Sequence, residues 1–89
     1  MEVSLDTVRK VFLDVLEGHM TREAADRWAY SLVRESESGA LTFVPPGEKA
    51  RIWAGVMYLY GIDAMAAPGE YLHTDEDIRI AMESKMGGA

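Results

Sequence analysis

The sequence predicts an all-α protein, a compact bundle of four helices with the third helix central. Three observations carry that expectation. Apolar residues recur at helical spacing in four separate segments. Ser4, Thr21 and Thr74 stand where helix starts need a side-chain acceptor, and Gly18 and Gly61 stand where helix ends need a left-handed residue. The third segment is apolar on nearly every side, as a central helix is.

Ser4 caps a first helix running to about Glu17, with Leu5, Val8, Phe12, Val15 and Leu16 on one face. Thr21 opens the second helix, whose buried stripe is Ala25, Trp28, Ala29, Leu32 and Val33. Ala24 occupies the position from which Glu or Gln would complete a capping box. Glu35–Gly39 ends that helix in turn-prone residues. Ala40–Val44 reads as a connector with Leu41, Phe43 and Val44 over the core, stopped by Pro45-Pro46. The third helix runs from about Gly47 to Tyr60, and within it Gly55 either admits a close neighbour or is a tolerated defect. Residues 62–70 form a loop. Thr74 caps the fourth helix, Asp75 to about Lys85, with Asp77 at the reach-back position of a capping box. Gly87, Gly88 and Ala89 form a frayed tail.

At 89 residues the chain suits one domain, spanning 1–89. It has no cysteine, which excludes disulfides and thiolate metal sites and favours a reducing cytoplasm. The start, MEVSLDTVRK, has neither the basic nor the apolar region of a signal peptide. The longest apolar stretch, near residues 52–65, is too short to span a bilayer. The formal net charge of −6 argues against nucleic acid and against an anionic membrane as partner, since both demand basic patches.

No catalytic or metal-binding constellation is expected, and no cofactor. His19 and His73 are the only histidines, and neither sits beside a nucleophile motif. His73, Asp75 and Asp77 point apart once the helix begins, so they do not converge on an ion. Trp28 and Trp53 read as core, as do Met57 and Met82. Tyr58 and Tyr60 flank Leu59, so one of them faces away from the core.

Charge distribution is the most informative feature. Residues 61–78 carry Asp63, Glu70, Asp75, Glu76 and Asp77 without a single Lys or Arg, and Tyr71 lies among them. Carboxylates around an aromatic residue suit docking on a basic protein surface. These six residues are the expected partner-binding site.

Residues Gly18–Ala25 (GHMTREAA), Trp28-Ala29, and Tyr71-Leu72-His73 with Asp77 ahead of the last helix resemble a group of small bacterial proteins. These are similar in size, acidity and helix order to the colicin D immunity family. The resemblance implies a four-helix bundle that masks the basic site of a toxin. The leading expectation is therefore a non-catalytic inhibitor docking its acidic face on a basic protein. The alternative is a helical module acting through homo-oligomerisation, as a homodimer, or within a larger assembly, through Phe43, Val44 or Met65. A third reading is a small-molecule pocket near Trp53 and Tyr60.

Overall fold

The computed structural model describes residues 1–86. Its elements are β1 (Glu2–Ser4), α1 (Leu5–Leu16), α2 (Arg22–Glu37), β2 (Thr42–Val44), a 3₁₀ turn (Pro46–Glu48), α3 (Lys49–Leu59), β3 (Met65–Ala67), β4 (Glu70–Tyr71) and α4 (Asp75–Lys85). Four helices are present, but with two small sheets the protein is mixed α/β and not the expected all-α bundle.

The helix starts form by the local chemistry their hydroxyls dictate. Ser4 Oγ accepts from Thr7 N at 3.0 Å, and Thr21 Oγ1 from Ala24 N at 3.0 Å. At α4 the exchange is reciprocal: Asp77 N donates to Thr74 Oγ1 and Thr74 N to Asp77 Oδ2, both at 3.1 Å. Two orphan donors of the first turn are thereby satisfied at once. Gly18, at φ +78°, turns the chain out of α1.

The core is one cluster. Val8, Val11, Phe12 and Val15 of α1 meet Ala25, Ala29 and Leu32 of α2, Ile52, Val56 and Leu59 of α3, and Ile78 and Ala81 of α4. Val3, Ile62 and Met86 close it. Trp28 and Trp53 are only partly buried and pack against its rim, and Met57 is exposed. α3 packs against each of the other three helices. Gly55 is the point of closest approach: a Cβ there would lie 2.8 Å from Val8 Cγ1 and 2.5 Å from Met86 Sδ. It is an approach site, not a tolerated defect.

The sheets arise from pairings that no local pattern announces. β1 and β2 run parallel, with Val3 opposite Phe43. A parallel pair needs a long crossover, which α1 and α2 supply. Thr42 N also donates to Met1 O at 2.8 Å. Ala40–Val44 is thus in part a strand, with Leu41 and Phe43 packed on the core and Val44 exposed. β3 and β4 form an antiparallel hairpin across Pro68-Gly69, where a loop was expected. The third helix begins at Lys49, after the 3₁₀ turn. The expected fraying of Gly87, Gly88 and Ala89 lies outside the described residues. No helix among those described is long and apolar enough to cross a membrane.

Candidate functional site

The acidic segment is placed unevenly. Tyr71, on β4, donates its hydroxyl to Glu23 Oε2 at 2.7 Å, and the Arg22 guanidinium lies 4.3 Å from its ring centre. That hydrogen bond, before any other cause, raises the Tyr71 pKa above the usual tyrosine value and lowers that of Glu23. Arg22 also donates to His73 O and pairs with Asp75 at 2.9 Å. Asp63 lies near enough to Tyr71 to add to its upward shift. Tyr71 and Asp75 are therefore gathered around Arg22, in a clasp joining the β3–β4 hairpin to the start of α2. Asp77 is taken up by the α4 cap. Its charge, after burial, helps to raise the Tyr58 pKa. Glu70 and Glu76 are exposed. Much of the expected docking face is thus engaged within the chain.

The cations sort by what they already do. Arg9 and Arg51 both donate to Met86 O, and Arg51 also to Lys85 O, satisfying carbonyls at the end of α4. Lys85 lies in the last turn of that helix, 5.9 Å from the Tyr58 ring centre. Lys10 pairs with Asp14 at 3.1 Å. Arg79 is exposed on α4, but Asp75, Glu76 and Glu83 lie one turn away on the same helix surface. Lys49 sits over Phe43, 5.3 Å from its ring centre, with Trp53 edge-on to that ring.

Arg27 and Arg34, both exposed on α2, likewise make no ion pair among the described residues, although Glu23, one turn from Arg27, feels its charge and Glu37 lies one turn from Arg34. At 3.6 residues per turn, Arg27, Tyr30, Ser31, Arg34 and Ser38 follow one side of the helix. Ala25, Ala29 and Leu32 occupy the opposite, buried side. Tyr30 stacks on Tyr60, just beyond α3, with ring centres 6.0 Å apart and planes at 28°. Arg34 lies 5.9 Å from the Tyr30 ring centre. Both tyrosines are more than two-fifths exposed, Tyr30 at 46% and Tyr60 at 42%. The face is an exposed pair of stacked rings between two arginines. Asp26, on the flank, is occupied: it accepts from Gly61 N at 2.7 Å and so fixes the turn that carries Tyr60. Sequence reasoning passed over this face because acidic residues elsewhere dominate the net charge. The available signal was the Arg27–Tyr30–Arg34 spacing on a helix whose other side is apolar.

Asp14, Glu17 and His19 bring ligand atoms within 4.8 Å of one another at the end of α1, but the group is solvent-facing and Lys10 contacts both Asp14 oxygens. No cavity opens among the described residues, so the pocket reading near Trp53 and Tyr60 has no container.

A sequence model of the family described as YxzC DNA-binding protein matches residues 3–84, and the chain belongs to that family. No curated protein and no solved structure matches it. The family match overturns the resemblance to colicin D immunity proteins and, with it, the toxin-inhibitor reading and the basic protein partner. It also conflicts with the exclusion of nucleic acid, and nothing in it supports the homo-oligomer alternative. The physical reason is that net charge sums over a whole surface, whereas a nucleic acid meets one face.

Proposed function

We propose that this member of the YxzC DNA-binding protein family binds DNA, without catalysis, through the solvent-facing side of α2. The observation that carries the reading is the pair Arg27 and Arg34, exposed on one helix face and not committed to any ion pair among the described residues. A guanidinium fork matches two phosphate oxygens and cannot be deprotonated. The two arginines stand about 10 Å apart along the helix axis, so they engage separate phosphates.

The acidic segment has a role in this reading. Asp63, Glu70, Asp75, Glu76 and Asp77 repel the phosphate backbone, and Arg22 ties Asp75 of this segment to the N-terminal end of α2. Arg34 lies about 18 Å further along that helix than Arg22.

The test is fluorescence anisotropy with labelled DNA at low salt. Arg27→Glu with Arg34→Glu removes binding, Arg79→Glu on α4 leaves it unchanged, and both variants melt as the parent does by circular dichroism. Parental affinity in the α2 double variant would exclude this face.

A further inference from the structure

Resting on that reading, we infer that the α2 face selects unpaired over duplex DNA, because its centre is a stacking surface and not a row of hydrogen-bonding groups. Tyr30 and Tyr60 are both substantially exposed, yet they are held in register with each other by position. Tyr30 is fixed on α2, and Tyr60 is set by the turn that Asp26 binds through Gly61 N. Each ring is therefore ordered before any ligand arrives, and little entropy is lost when a base is laid against it.

A ring face offers nothing to a paired base. In a duplex the base faces are covered by their neighbours, and only edges and phosphates are presented in the grooves. Unpaired bases expose their faces, and stacking on an aromatic side chain is sequence-tolerant because every base has one. Arg34 lies over the Tyr30 ring, so a base extends the stack from the Tyr60 side while Arg34 reaches a neighbouring phosphate and keeps its own cation–π contact.

Electrostatics point the same way. A chain of net charge −6 is penalised by the dense phosphate array of a duplex, and its two uncommitted arginines on this face recover only part of that cost. A single strand has a lower charge density and a smaller counterion term for each phosphate. Stacking, which does not depend on net charge, then supplies what the arginines cannot.

The experiment compares three labelled probes of about 16 nucleotides, an upper site size for one small binding domain. They are a mixed-sequence single strand, the duplex of the same sequence, and a strand with the same backbone but no bases. The parent protein binds the single strand at least about fivefold more tightly than either other probe, the lower bound for one stacked base. Tyr30→Leu with Tyr60→Leu, which keeps apolar bulk without rings, loses that preference. Tyr30→Phe with Tyr60→Phe keeps it. Equal affinity for single strand and duplex, or a preference that survives the leucine pair, overturns the inference while leaving DNA binding by α2 intact. Failure to bind any of the three probes overturns both.

Discussion

Tyr71 shows how a residue read as an interface anchor becomes part of the fold. Its hydroxyl is donated to Glu23 and its ring receives Arg22, so the aromatic residue amid carboxylates faces a cation of the same chain. Two linked titrations follow. Glu23 has a lowered pKa, so its contribution to stability is present above its ordinary value of 4.5 and is lost as pH falls through the folded value. Tyr71 has a raised pKa, so its contribution is present below its ordinary value of 10.0 and is lost as pH rises through the folded value. Tyr71→Phe keeps the ring over Arg22 and removes only the hydroxyl. Its melting temperature should fall below the parent's by a constant amount at intermediate pH, and the gap should begin to narrow as pH falls below the ordinary Glu23 value of 4.5. A gap that stays constant as the carboxylates are protonated would show that the Tyr71–Glu23 bond is not its source. At this scale the sequence was partly legible: hydroxyl caps and Gly18 could be read from neighbours. The Tyr71–Glu23 and Arg22–Asp75 contacts could not, because their partners are some fifty positions apart.

Helices and strands differ in how much they announce. α4 is specified locally, by a capping box and three acidic residues in its first turn. Thr74→Ala should therefore cost about 1 kcal/mol in urea denaturation with an unchanged m-value. No loss would mean that tertiary contacts alone hold the helix start. Gly55 on α3 tests packing between elements. Alanine is the better helix former, by about 1 kcal/mol, so Gly55→Ala stabilises if propensity decides. The stiff Val8 side chain stands where the new methyl group must go, and overpacking of this kind costs about 1–3 kcal/mol. A net loss of stability is the expected result. The strands escaped the sequence reading for a physical reason. β1 and β2 are three residues each, too short for an alternating pattern, and their partners meet only after two helices have intervened. Pro45 does end regular extended structure, directly after a strand rather than within a connector, but Pro46 opens the 3₁₀ turn.

On the scale of the whole molecule, the decisive quantity is the arrangement of charge, not its sum. The net charge of −6 is real, and it pointed away from nucleic acid. The fold spends its cations unequally: Arg9 and Arg51 on the end of α4, Arg22 on the hairpin clasp, Lys10 on Asp14. Two arginines without an ion pair among the described residues share one outward helix face, beside two ordered tyrosines. The helical spacing of that face was visible in the sequence. Its significance was not, because Tyr60 joins it from another element and because only the structure shows which cations are already engaged. An acidic protein using so few phosphate contacts should bind DNA weakly, and with only a shallow dependence on salt.

The salt dependence of DNA binding tests the proposed interface most directly. The logarithm of the association constant, measured against the logarithm of salt concentration, falls along a line whose slope counts phosphates neutralised. Comparison of the parent with Arg27→Ala, Arg34→Ala and the double variant should show the slope become shallower by about 0.7–0.9 for each arginine removed. An unchanged slope in the double variant, at whatever affinity, would mean that DNA is held elsewhere on the molecule and that the α2 face is not the interface.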